Sequence, residues 1–381
     1  MNDPLPHSKP HYHLIDGLRG VAAIMVVVYH LGEGFCTSPA DLWLANHGYL
    51  AVQFFFILSG FVLGYSYDDR WPGMSVGEFL RRRVIRLQPM VAAGVVLGVA
   101  AFFMQGSVTW SGEHISPLWV ILAGISTFFM IPAWAGSPLE IRGNAEMFPV
   151  DGPLWSLFFE YLGSLVYCLV IRRLSTRVLA RLTAVAAVGV GCFAIGNASG
   201  YYHLGVGWSL SGTIPWGGAI CMLFCFSAGF LMARVFHRLP RLEVPGAFWW
   251  CSALIIILLS MPYVDYGGCP WLNGVYEAIC VVFIFPLLVW IAASGKTTGQ
   301  ITTSACNFSG DISYPLYAVH YPSLYLFYAW VWGDNITWIR AWPVAAGLVA
   351  GNVLLAWILL KYYDEPLRKR LSRRGKGNRR R

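Results

Sequence analysis

Charge is scarce in this chain. Lys, Arg, Asp and Glu make up 12% of its 381 residues, about half of what a soluble protein of this length carries. A water-facing domain of ordinary size cannot be built on that supply. Internal repeats are missing too, which removes the main sequence sign of an inverted-repeat transporter. Nine cysteines are present, but none sit at metal-ligand spacing, so no metal is expected. Cys221 and Cys225 stand one helical turn apart inside an apolar run and read as packing. No cleavable leader is expected either. The segment Met1 to His13 is polar and proline-bearing, and Arg19 lies inside the first apolar run rather than ahead of it.

What is abundant is apolar sequence. The chain is 57% hydrophobic, arranged in runs of roughly 17 to 22 residues between short polar loops, as membrane-crossing helices require. The expected fold is all-α, a polytopic membrane helix bundle of about ten transmembrane helices with both termini cytoplasmic. The spans run at Ile15–Leu31, Gly48–Ser66, the basic loop Arg81–Arg86 onward to Met104, Pro153–Ile171 and Leu182–Ile195. They continue at Thr213–Ala233, Ala247–Tyr263, Val275–Ala293, Ile312–Trp330 and Ala341–Leu360. Residues 1–13 form a cytoplasmic tail, 14–363 the membrane domain, and 364–381 a basic cytoplasmic tail suited to anionic lipid. That tail accounts for much of the +8 net charge, so nucleic acid is not implied.

One apolar run, Leu118 to Ala135, is left over, and charge decides its fate. With ten spans, all of the 27 Lys and Arg except Arg142 and Arg340 fall on the inner side. An eleventh crossing would flip every later loop against the positive-inside rule. Residues Gln105 to Gly152 are therefore read as one outer re-entrant segment. Such backbone is tolerated only where protein or a water-filled cavity surrounds it, which places the segment over a pocket.

The first span carries two ionisable residues on one face. Arg19 and His30 are 11 residues apart, three turns plus about 20°, and roughly 16 Å along the axis. Charged groups inside a span face a bundle interior or a wet cavity. His30 is a candidate general base, because its unperturbed pKa suits proton transfer near neutrality; the plainer alternative is a helix-end histidine at the interface. Glu160, two turns into the fourth span, has no basic neighbour in sequence and needs a partner from another helix. It is expected to orient His30, or else to stay protonated as a packing residue. Arg83 and Arg86, one turn apart at the inner mouth of the third span, suit phosphate. Ser313, Tyr317 and His320 share a face of the ninth span.

Together these motifs resemble acyltransferase family 3, the integral-membrane acyltransferases of sugars, peptidoglycan and surface polysaccharides. The resemblance runs from Ile15 to about Leu371. Arg19 and His30 match the family's arginine–ten residues–histidine element, and Phe55 to Gly60 its second-helix Phe-Phe-Ile-Leu-Ser-Gly. Arg83, Arg86 and Pro89 match the Arg-x-x-Arg element before a proline. Leu154 to Glu160, including Trp155, match Leu-Trp-Ser-Leu-x-x-Glu. Ser313, Tyr314, Tyr317, His320 and Pro322 match the Ser-Tyr-x-x-Tyr-x-x-His-x-Pro element. Glu365 to Arg368 match the closing stretch. Two positions depart from the pattern: Tyr161, where many members have a second glutamate or a tryptophan, and Gln88, where tyrosine or an apolar residue is common.

The resemblance implies a multi-pass cell-membrane enzyme with no permanently bound cofactor. Its co-substrate is acyl-CoA, usually acetyl-CoA, and its acceptor is a glycan or small hydroxyl compound. It implies His30 and Glu160 as catalytic and Arg19, Arg83 and Arg86 as donor-binding. Asp16, Trp155, Ser313, Tyr314, Tyr317 and His320 are supporting. The competing class is a transporter or flippase of a glycan or lipid.

Overall fold

The computed structural model describes residues 12–38, 41–264, 268–297 and 299–377. Most of the expected N-terminal tail, Lys9 included, and the last residues of the basic tail lie outside them. The described residues form α1 His13–Glu33, α2 Ala51–Tyr67, α3 Val76–Met104, α4 Pro117–Phe128, α5 Leu154–Leu169, α6 Thr176–Ile195 and α7 Ile214–Val235. Then come α8 Ala247–Leu259, α9 Trp271–Ile279, α10 Phe285–Ser294, α11 Gln300–Val319, α12 Tyr321–Gly333, α13 Trp338–Leu359 and α14 Glu365–Gly377. Eight helical stretches are long and apolar enough to cross a membrane. The chain is an all-helical membrane protein.

Four spans differ most from expectation. α3 begins at Val76, where Ser75 Oγ accepts the Glu78 N–H at 3.1 Å, so Arg81–Arg86 lie in the helix rather than in a loop ahead of it. α6 begins at Thr176 rather than Leu182, because Ser175 Oγ accepts the Val178 N–H at 3.3 Å and caps it. Arg177 and Arg181 therefore lie inside the helix, where long basic side chains reach outward past its end. α8 is shorter than expected, with 13 residues. The ninth span starts earlier, at Gln300, and breaks at His320 into α11 and α12. Pro322 explains the break, since it has no N–H to offer the Ala318 carbonyl.

The re-entrant segment takes the expected form. α4 has 12 residues, about 18 Å of helix, too short for a bilayer of about 30 Å. Its apolar face, Val120 and Ala123, packs on α3. At its deep end the Phe128 carbonyl accepts a hydrogen bond from the Gln88 amide. The chain then turns back, and Ala133 N–H donates to the Met147 carbonyl at 2.8 Å. On the return, Val150 presses against α3 so closely that a Cβ at Gly98 would stand 1.9 Å from its carbonyl oxygen.

Small residues likewise set the approach of α1 to α11. A Cβ on Gly20 would lie 2.3 Å from the Ser309 carbonyl oxygen, and one on Gly310 would lie 2.5 Å from Asp16 Cβ. The two backbones touch, as small residues allow in membrane bundles. Gly20→Val is expected to cost about 3 kcal/mol through overpacking, read as a lowered unfolding midpoint in detergent.

Candidate active site

The close approach of α1 and α11 places Arg19. Its Nε donates to Ser313 Oγ at 2.7 Å and its Nη2 to the Gly310 carbonyl at 3.1 Å. Asp16, one turn back, pairs with it at 3.0 Å. Arg19 is thereby held at the basic end of the bundle, where the arginine-rich segments gather. Around it lies a mouth of about 520 Å³ lined by Arg19, Arg70, Arg82, Arg83 and Arg86, with Asp16 as the acid among them.

The mouth narrows into a neck of about 130 Å³. Its walls hold the same Arg19, Arg83 and Arg86, then Phe55, Phe56 and Ser59 of α2. Arg86 lies over the Tyr314 ring at 5.9 Å, and Tyr314 donates to the Leu87 carbonyl at 2.5 Å. Among the described residues Arg86 makes no ion pair. Arg83, by contrast, is paired with Glu160.

Val52 and Tyr317 line both the neck and a third cavity beyond it, a chamber of about 300 Å³. His30 stands in the chamber wall, together with Glu33, Glu146, Trp155, Tyr321 and Tyr325. The His30 Nδ1 faces the Glu33 carboxylate, three residues on along the same helix. The Tyr317 hydroxyl lies 2.6 Å from Ser156 Oγ. His320 is fully buried behind the wall. Its ring centroid is 5.5 Å from that of His30, and its Nδ1 lies 2.9 Å from the Tyr317 carbonyl, so it holds the break in place.

One expected contact is absent. Glu160 does not reach His30; it pairs with Arg83. α3 starts at Val76, so Arg83 lies about two turns inside the helix, and Glu160 lines the neck with it while His30 lines the chamber beyond. Both partners are mostly buried, with side chains 13% and 16% exposed. Glu160→Ala alone is expected to lower stability by about 3 kcal/mol by stranding Arg83. The double replacement with Arg83→Ala should regain part of that, a coupling read from unfolding midpoints.

Comparison with known proteins identifies the family. The family profile described as an acyltransferase domain, that of acyltransferase family 3, matches residues 12–361. The chain belongs to that family. Protein 2 in picA locus of Rhizobium radiobacter is 34% identical over 48% of this chain and 95% of its own length. BcsY of Komagataeibacter xylinus, named as a membrane-bound transacylase, is 24% identical over 92% of this chain and 83% of its own. The O-acetyltransferase OatA of Staphylococcus aureus is 24% identical over 93% of this chain, which spans 57% of that protein. No solved structure matches. Family membership decides between the two classes left open by the sequence: this chain is an acyltransferase.

Against the family pattern, the two departures turn out to be neighbours. Tyr161 donates to Gln88 Oε1 at 2.9 Å, and the Gln88 amide holds the end of α4. Each supports the other, away from His30. Sequence reasoning missed Glu33, although a carboxylate three residues after a helical histidine was a legible signal. It also missed Arg70 at the mouth and took Arg82 as plain flank; nothing local marks either one. Arg82 does pair with Glu78 at 2.7 Å.

Proposed function

We propose that this enzyme transfers an acetyl group from cytoplasmic acetyl-CoA to a hydroxyl of a glycan acceptor on the outer side of the cell membrane. The observation that carries the reading is the run of joined cavities, from a mouth of five arginines, through a narrow neck, to His30. A CoA thioester has that form: a phosphate-rich head, a thin arm and a reactive end. Arginines grip phosphate by paired N–H donors, and the Arg19–His30 rise of roughly 16 Å suits an extended pantetheine arm. The relatives named as a transacylase and an O-acetyltransferase fit the same chemistry. In this reading the charge of the basic tail suits anionic lipid rather than nucleic acid.

In this reading Glu33 holds the proton on His30 Nδ1, leaving the Nε2 lone pair as the base. The acceptor O–H gives its proton to Nε2, and its oxygen bonds to the thioester carbonyl carbon. The C–S bond then breaks, and the departing thiolate takes the proton back from Nε2. Glu33 stabilises the imidazolium in between. In the same reading the Tyr317 hydroxyl, which lies in the wall shared by neck and chamber and donates to the Pro153 carbonyl at 3.2 Å, turns to donate to the thioester carbonyl oxygen as it gains charge. Arg83 and Glu160 form the neck wall, with Arg86 and Arg19 as the main phosphate ligands.

The test is direct. Protein purified in detergent should bind acetyl-CoA and release CoA slowly without acceptor. A folded protein that does neither sinks the donor assignment.

A further inference from the structure

Beyond His30 the chamber does not end at a wall. It joins a groove of about 350 Å³ that opens away from the basic end. Tyr29, Glu33, Tyr49, Gly205 and Trp208 line both spaces. One side of the groove is the loop 196–213 between α6 and α7; the other is the segment after α1. The loop is held firmly. Leu204 N–H donates to Glu277 Oε2 at 2.5 Å, and the Leu204 carbonyl accepts from Gln53 Nε2 at 2.8 Å. The other oxygen of the fully buried Glu277 accepts from Tyr49 at 2.5 Å and faces His47 Nδ1 at 2.9 Å. One carboxylate thus ties both walls, so the groove is preformed and costs little to order on binding.

Its surface is aromatic and open. Tyr201 is 51% exposed and Trp208 39%, and the Tyr201 ring stacks on His203 at 5.8 Å. Tryptophan at an outer loop commonly marks the lipid interface, but that role does not put it in the walls of two joined cavities. Flat rings lining a wet groove suit the C–H face of a sugar, leaving its hydroxyls in water.

The charge is one-sided. Among the described residues, chamber and groove walls carry the carboxyls of Glu33 and Glu146 and no Lys or Arg. Arg142 is fully buried under the Tyr325 ring, 3.2 Å from its centroid. His203 adds no positive charge. Its Nδ1 accepts from Gly205 N–H at 2.9 Å, and burial pushes its pKa down. An anionic sugar entering here would lose water, find no Lys or Arg among the described wall residues and meet Glu33, while the one histidine beside it, His30, already faces that carboxylate.

We infer that this groove is a subsite for an uncharged pyranose ring of the acceptor, next to the ring that is acylated. The inference rests on the function proposed above and adds the acceptor's charge class. The experiment measures CoA release from acetyl-CoA by the full chain in detergent. Arms contain no sugar, a pool of neutral glucan, mannan and xylan oligosaccharides, or oligogalacturonates of matched length. Stimulation by the neutral pool and not by the uronates is expected. In Tyr201→Ala the ratio of stimulated to sugar-free rate should fall about tenfold, the size of one lost stacking contact, through a raised KM for sugar. Tyr201→Phe should restore it. No sugar-free release at all would overturn the parent reading. Normal sugar-free release with no neutral stimulation, with equal or greater stimulation by uronates, or with an unchanged ratio in Tyr201→Ala would overturn the subsite alone.

Discussion

His30→Ala is expected to lower acyl transfer by about a thousandfold while acetyl-CoA still binds. The magnitude is that of a lost general base. Its selectivity follows from position. His30 lines the chamber and neither the neck nor the arginine mouth, so its removal leaves Arg19, Arg83 and Arg86 untouched. The check is kcat for acetyl transfer alongside a calorimetric Kd for acetyl-CoA. A parallel rise in Kd would mean that His30 shapes the donor site instead. Loss of release with intact binding would place it at the chemistry.

Arg86→Ala is expected to weaken acetyl-CoA binding by on the order of a hundredfold, with kcat at saturating donor nearly retained. Hydrogen bonds to charged groups contribute about 1.5–3 kcal/mol, and tenfold in affinity is about 1.4 kcal/mol. Arg86 should show the full effect because its charge is not spent on an ion pair among the described residues. Arg83 is neutralised by Glu160 and Arg19 shares Asp16, so their replacement mixes binding loss with damage to the fold. The measurement is Kd for acetyl-CoA against Kd for its 3′-dephospho form. If Arg86 meets phosphate, its replacement shrinks the difference between the two donors or weakens both equally, according to which phosphate it holds. An unchanged Kd for both donors would remove Arg86 from the donor site.

The elements legible in the sequence are those that local physics settles. Apolar run length marks α1, α2, α5 and α7 to within about three residues. The helical period alone puts Arg19 and His30 on one face. Charge counting along the loops turned Leu118 to Ala135 from a crossing into a re-entrant segment, which α4 bears out with its 12 residues and return path. The break at His320 was written in Pro322 but was hidden by the continuous apolar run around it.

Relations between helices were decided elsewhere. Whether Glu160 meets His30 or Arg83 depends on how α5 packs against α1 and α3, and nothing in α5 alone decides it. The neck exists because α1, α2, α3, α5 and α11 turn particular faces toward one another. The groove wall exists because Glu277, far along the chain, ties Leu204 to Tyr49. Hydropathy and periodicity report each helix against lipid and water. Rotation, depth and partner choice are set by steric contact between helices distant in sequence, so they emerge only when the whole bundle is packed.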